Sequence, residues 1–353
     1  MEILDLNART CSLQLEDNTS EFSPAPIYSL PPEIIAEIFI NFVPTYPEFP
    51  PYSGVLSPLV LGRVCRHWRA IALSTPALWS SLSIAVSDPD AVQTEKLDLL
   101  RTWLARSGNC PLSLSLTGPT NSDFFTQFIE TAVAHCARWA HLDLLIPFDS
   151  LHLLQDHPMP LLRDLTIGPT DLRHDVDFTL PLFIDTAPQL RHVVLTSCFL
   201  NATIRLPWAQ LTHLDAHCLY EHECTDILRA APVLVLCTLS VCCSDDDVVV
   251  GPAVPVHEHL RKVTLLAEDP DVRLWLVLDC LTLPALRKLQ VAEPCITLES
   301  LAAFVQRSQC ALEELRVTDA TLSESAFRDV LSLPVDNIVL DRKITLDTWE
   351  SIL

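Results

Sequence analysis

From residue 111 to residue 340 one short pattern returns along the chain: an apolar residue, two variable residues, an apolar residue, one variable residue, an apolar residue. It reads Trp139-x-x-Leu142-x-Leu144, Leu162-x-x-Leu165-x-Ile167, Leu190-x-x-Val193-x-Leu195, Leu211-x-x-Leu214-x-Ala216 and Leu236-x-x-Leu239-x-Val241. It continues as Leu260-x-x-Val263-x-Leu265, Leu286-x-x-Leu289-x-Val291, Leu312-x-x-Leu315-x-Val317 and Val335-x-x-Ile338-x-Leu340. Successive starts lie 23, 28, 21, 25, 24, 26, 26 and 23 residues apart, and Pro111-x-x-Leu114-x-Leu116 is a candidate first copy. Alternation inside the phrase is the period of a strand. Between phrases the period changes to that of a helix. Phe125, Phe128, Ile129, Ala132, Val133 and Cys136 form one stripe. Leu298, Leu301, Phe304 and Val305 form another behind Thr297 as N-cap, and Ser323 caps a third with Phe327, Val330 and Leu331. A strand and a return segment cannot bury their apolar faces alone, so neighbouring copies must stack in parallel around a continuous core.

Upstream the pattern is helical. Ser29-Leu30-Pro31-Pro32 opens a helix, because proline is tolerated in a first turn. Ile34, Ile35, Ile38, Phe39 and Phe42 follow at helical spacing, with Glu33, Glu37 and Asn41 opposite; Ala36, Ile40 and Val43 widen the apolar surface beyond one stripe. A short helix apolar on more than one side has more than one neighbour. After a Pro-rich insert, Pro44 to Val55, Ser57-Pro58 caps a second run with Leu61, Val64, Cys65, Trp68, Ile71 and Ala72 at helical spacing. That run is either one bent helix or two short ones. A further helix is expected from about Val92 to Arg106, with Leu97, Leu100 and Leu104 on one side.

Leu30-Pro31-x-Glu33-Ile34-Ile35-x3-Phe39 followed by Val64-Cys65-Arg66-x-Trp68-Arg69-x-Ile71-Ala72 resembles the F-box motif. Ala77-Leu78-Trp79-Ser80-Ser81-Leu82 is similar to the tail common in fungal F-box proteins. The resemblance covers about an eighth of the chain. It implies a three-helix module that docks onto the Skp-family adaptor of SCF-type, cullin-based ubiquitin ligases. By resemblance, Leu30, Pro31, Ile34, Ile38, Phe39, Val64, Cys65 and Trp68 contribute to the adaptor contact or to the module's own core. The insert departs from the family pattern and is expected to be a tolerated surface loop. The phrases resemble leucine-rich repeats, whose periods are in the twenties. That family carries Asn or Cys eight residues after the first Leu. Here those places hold Pro147, Thr170, Cys198, Leu219, Ser244, Glu268, Pro294, Ala320 and Lys343, of which only Cys198 fits. The expected fold is therefore α/β: an F-box module over 27–85, after a loose acidic tail over 1–26, and an irregular leucine-rich-repeat solenoid over 86–353 with a parallel sheet on its concave face. The ending, Trp349 to Leu353, is read as either a cap or a truncation.

Composition narrows the function. With 353 residues, 49% hydrophobic and 19% charged, the chain is globular. A net charge of −22 argues against nucleic-acid or anionic-membrane partners over the whole surface. Thirteen scattered cysteines without a secretory start read as reduced thiols, so the expected location is cytoplasm or nucleus and the sequons at Asn18 and Asn201 are chance matches. No apolar run reaches membrane-spanning length. Six glycines, none spaced for a dinucleotide fingerprint, a P-loop or a nucleophile elbow, and no H-E-x-x-H leave phosphate-cradling and hydrolase readings without support. The densest cluster of possible metal ligands, His213 to Cys224, lacks paired ligand spacing and reads as a polar loop after a strand. Cys237, Cys242 and Cys243 read as small buried hydrophobes, Asp245-Asp246-Asp247 as a solvated loop, and His257-Glu258-His259 receives no role. No catalytic residue, metal or cofactor is assigned.

The function this implies is a substrate-recruiting subunit, holding a Skp-family adaptor, and through it a cullin, with the F-box and an unknown client with the repeats. The rival is a repeat scaffold without a ligase, distinguished by failure to bind the adaptor at micromolar concentration. If the strands stack in parallel, the variable residues flanking each middle apolar residue share the open face. These are His141 and Asp143, Asp164 and Thr166, His192 and Val194, His213 and Asp215, Thr238 and Ser240, Lys262 and Thr264, Lys288 and Gln290, Glu314 and Arg316, Asn337 and Val339. Lys262, Lys288 and Arg316 gather there as a candidate site for an acidic or phosphorylated client, against the plainer reading of a solvated strip.

Overall fold

The computed structural model describes residues 26–86, 93–118, 123–170, 182–184, 186–196, 204–243, 254–331, 335 and 337–342. The expectations for the tail, for both sequons, for Asp245 to Asp247 and for the residues after 342 lie outside them, as do Cys198, Ser244 and Lys343.

A helical segment comes first: α1 (Pro32–Phe42), α2 (Leu61–Val64) and α3 (Arg66–Leu73). The run read as one bent helix or two is two, because Cys65 is extended at φ −157° and breaks the spiral. Its thiol accepts the Trp68 N–H and so caps the helix it begins. Strands and helices then follow, with no α-helix described between β3 and β8 or between β9 and β10: β1 (Ser81–Ala85), α4 (Gln93–Arg106), β2 (Leu112–Thr117), α5 (Asp123–Val133), β3 (Trp139–Ile146), β4 (Asp164–Pro169), β5 (Leu182–Phe183), β6 (His192–Leu195), β7 (Ile204–Arg205), β8 (His213–Leu219), α6 (Glu221–Ala230), β9 (Leu236–Val241), β10 (Lys262–Ala267), α7 (Leu274–Cys280), β11 (Lys288–Ala292), α8 (Leu298–Ser308), β12 (Glu314–Thr318), α9 (Glu324–Val330) and β13 (Asn337–Asp341).

Among the described residues the strands make one parallel sheet of eleven, ordered β1-β2-β3-β4-β6-β8-β9-β10-β11-β12-β13, so the order in space is the order in sequence; β5 and β7 form a separate parallel pair. The molecule is mixed α/β with a long parallel sheet. The phrase explains the sheet's two faces. Middle and last apolar residues of the copies, such as Leu142 with Leu144 and Leu289 with Val291, are buried against the return segments, and only the final Leu340 is partly exposed. The residues between them lie on the other face. One buried cluster runs without interruption from Ile35 to Ile338.

Register confirms eight of the nine numbered phrases and corrects one. Leu214 pairs with Cys237 and Ala216 with Leu239, and Val263 and Leu265 pair with the same two residues. The fifth copy is therefore Leu234-x-x-Cys237-x-Leu239, two residues earlier than the leucines suggest. Cys237 is buried and serves as the middle apolar residue. A shift of two keeps each side chain on its own face but moves it along the strand. The open-face pair is Leu236 and Thr238, while Ser240 is buried and donates to Glu268. The candidate copy at Pro111 is real, since Leu114 pairs with Leu142, and a still earlier one exists: Trp79-x-x-Leu82-x-Ile84, with Leu82 on Leu114. Ser81–Ala85, assigned to the helical module by resemblance, thus forms the first strand of the sheet.

The eighth position is also richer than it looks. The Thr170 hydroxyl donates to the Gly118 carbonyl at 2.9 Å, bonding buried backbone as the missing Asn would. With the fifth register corrected, Cys242 takes that position as well. Elsewhere side chains outside the phrase do the work: Arg307 donates to the carbonyls of Leu281 and Leu278, Gln210 to those of Ala187 and Leu190, and the Leu283 N–H donates to Ser308. Buried backbone needs such partners whatever residue supplies them.

The Pro-rich insert is more than a surface loop. An edge strand leaves a row of unpaired backbone groups, and β1 is the first edge. The insert meets it: the Ser83 N–H donates to the Pro50 carbonyl at 3.0 Å, and Pro51 bridges Ser83 in parallel. Tyr46 then reaches over the open face, its ring stacked on His141 of β3 at 4.0 Å and 9°.

Candidate partner interface

Helix α1 divides its apolar residues between two faces. Ile35 and Phe39 point inward, and Phe39 lies 4.8 Å from the Trp68 ring. Leu30, Ile34, Ile38 and Phe42 recur every fourth residue and are exposed, Ile34 by 49% and Ile38 by 45%. Such a stripe lies on one side of a helix. Pro31 starts the helix and is exposed beside it. Val64 and Leu73, at the ends of α2 and α3, are exposed as well. Nine of the thirteen large apolar residues exposed among the described residues lie between Leu30 and Leu73, and a concentration of that kind marks an interaction surface.

The adaptor residues taken from the resemblance therefore separate by role. Leu30, Pro31, Ile34, Ile38 and Val64 have surface to offer a partner. Phe39 is interior and supports the helix from beneath. Trp68 and Cys65 are half-buried, one packed on Phe39 and the other capping α3. Phe42 and Leu73 join the exposed group; the four-residue spacing from Leu30 already contained Phe42.

The open face of the sheet carries two different polar arrangements. On β2, β3, β4 and β6 polar side chains bond one another across the strands. Ser113 Oγ lies 2.9 Å from His141 Nδ1, His141 Nε2 lies 3.4 Å from Asp164, and Asp164 also bonds His192 Nδ1. The Tyr46 hydroxyl donates to Asp164. Burial, then the charge of Asp164 and this bond, then the charge of Asp143 push the Tyr46 phenol up to about 12. Burial also lowers His141 and His213, against the pull of Asp164. With the Tyr46 ring covering His141, this ladder fastens the insert to the sheet.

On β10, β11 and β12 the register brings Lys262 beside Lys288, as the phrase requires, and Lys288 beside Glu314. Lys288 forms an ion pair with Glu314 at 3.2 Å, and Arg316 pairs with Asp341 at 2.8 Å. Of the three candidate client residues, Lys262 alone has no partner among the described residues. Sequence reading missed its two neighbours: Arg261, the first variable residue of the phrase, and Leu236, hidden by the register error.

The stretch from His213 to Cys224 is not a polar loop. It is strand β8 running into helix α6, whose start is fixed by the Glu223 carboxylate accepting the Tyr220 N–H at 3.0 Å. Glu221 is buried and accepts the Arg273 N–H. Among the described residues no group of three or more His, Cys, Asp or Glu side chains is placed to hold a metal. Burial pushes the Cys237 thiol up to about 12, and Cys224, Cys295 and Cys310 upward, which disfavours the nucleophilic thiolate. His257 is buried with Nε2 2.9 Å from the Leu228 carbonyl. No helix among the described residues is long and apolar enough to cross a membrane. No protein-family model matches the chain, and no curated protein matches it.

Proposed function

We propose that this protein is a substrate-recruiting subunit of an SCF-type ubiquitin ligase. The helices of residues 27–85 hold a Skp-family adaptor, and the repeated strands hold a client protein. The observation that carries the reading is the exposed stripe of Leu30, Ile34, Ile38 and Phe42 on the helix whose sequence resembles the F-box. The chain-ordered parallel sheet supports the leucine-rich-repeat half of the reading, since stacked repeats offer an extended open surface. The protein contributes no chemistry of its own. It holds a client lysine near a ubiquitin-conjugating enzyme, and proximity does the rest.

The test is co-purification with the adaptor. Replacing Leu30 and Pro31 together by alanine removes exposed apolar contact at the entrance of α1. Surface changes of this kind typically alter stability by less than about 0.5 kcal/mol. The expected result is lost adaptor binding with an unchanged melting temperature. Undiminished co-purification of the double variant defeats the proposal, and a wild-type chain that binds no adaptor at micromolar concentration favours a scaffold without a ligase.

A further inference from the structure

We infer that Leu236, Arg261 and Lys262 form a docking site for an acidic segment of a partner protein, one with an apolar residue beside its carboxylates. This rests on the client half of the proposed function and names the chemistry of the client. The chain has four lysines, at 96, 262, 288 and 343, and two of them are register neighbours on the open face. Like charges one strand apart repel. The fold relieves one of them only. On the β12 side, Glu314 neutralises Lys288 at 3.2 Å and Glu313 lies 3.6 Å from Arg287. On the β9 side the neighbours of Arg261 and Lys262 are Val235 and Leu236, which carry no charge.

Arg261 and Lys262 are exposed, and their side chains have no hydrogen-bond or ion-pair partner among the described residues. Leu236, directly opposite Lys262, is 37% exposed. Two uncompensated cations flanked by an open leucine, in a chain of net charge −22, form a local inversion of the protein's field. The surrounding negative surface repels acidic chains, so such a segment that does bind is directed to this place. A carboxylate above Lys262 would supply the charge that Glu314 supplies to Lys288, and an adjoining apolar side chain would cover Leu236.

Selection from a phage-displayed library of random dodecapeptides tests this without reference to the ligase. The whole chain is the bait, and the enriched peptides are then measured as synthetic peptides in solution. The expected outcome is a consensus with carboxylates next to an apolar residue. Affinity for those peptides should fall about tenfold in the double variant Arg261→Glu, Lys262→Glu, the order expected for losing exposed ion pairs and gaining repulsion. Arg261→Gln with Lys262→Gln serves if the reversed variant does not fold, with a smaller loss in the same direction, and Leu236→Ala should weaken binding independently. Peptides that lack acids, binding indifferent to these substitutions, an empty selection, or tighter binding of an oligothymidylate at the same residues would each overturn the inference. Adaptor capture by the same variants separates the two proposals: it should persist when peptide binding is lost, and peptide binding should persist in the Leu30, Pro31 variant.

Discussion

Tyr46 joins two parts of the molecule through a single side chain, and its phenol reports on that junction. Its folded value, about 12, stands above the ordinary 10.0. A group raised on folding contributes stability that is complete below its unfolded value and is lost as pH rises through the folded one. The contribution of Tyr46 is therefore intact at neutral pH and disappears between about pH 10 and pH 12. Titration followed by tyrosinate absorbance should show one late-ionising tyrosine fewer in Tyr46→Phe than in the wild type. If the two curves coincide, the hydroxyl does not meet Asp164. Nothing in the sequence pointed to Tyr46. Its partners His141 and Asp164 belong to strands about a hundred residues away, and a loop that lacks periodicity gives no sign of what it lies against. His141 and Asp164 themselves were legible as open-face residues, because alternation in a strand assigns faces whatever the side chains do.

At the scale of elements, α1 offers two isoleucines three residues apart with opposite consequences. Ile35 is fully buried and Ile38 is about half exposed. Ile35→Ala should lower stability by about 2–5 kcal/mol, the usual loss for emptying a core position. Ile38→Ala should change it by less than about 0.5 kcal/mol, as at other surface sites. Denaturant unfolding of both variants distinguishes them; equal losses would mean that the outward stripe is packed in solution. Helical spacing marks Ile34, Ile35, Ile38, Phe39 and Phe42 together, since a helix apolar on more than one side shows its character but not which side faces the protein. The return helices were easier, each having one apolar stripe and one core. Helix α8 begins where Thr297 was read as N-cap, with the hydroxyl accepting the Ser300 N–H at 3.0 Å. The fifth copy of the phrase, on β9, was misplaced for a definite reason. Leucine at 236 and valine at 241 fitted the phrase, whereas the true middle residue is a cysteine, and Leu234 two residues earlier was equally good as a start.

Over the whole molecule the distribution of lysine is uneven enough to be measured. Lys96 is buried with its ammonium on the Ala85 carbonyl at 2.6 Å, and Lys288 is held by Glu314. Limited treatment with an amine-reactive ester should therefore label Lys262 before Lys288, and Lys96 last, as read by peptide mass spectrometry. Faster labelling of Lys288 would mean that its pair with Glu314 does not persist. The sheet that holds these residues also sets a length scale. Because its eleven strands follow chain order, a step of one repeat along the sequence is a step of about 4.8 Å in space. An extended peptide advances about 3.4 Å per residue, so three of its residues span two strands. The face acts as a vernier: a segment crossing it at right angles comes back into phase at every second strand, and about fourteen residues reach from β1 to β13. A ligand of this surface would carry its determinants in threes, a rhythm absent from the sequence of the protein that reads it.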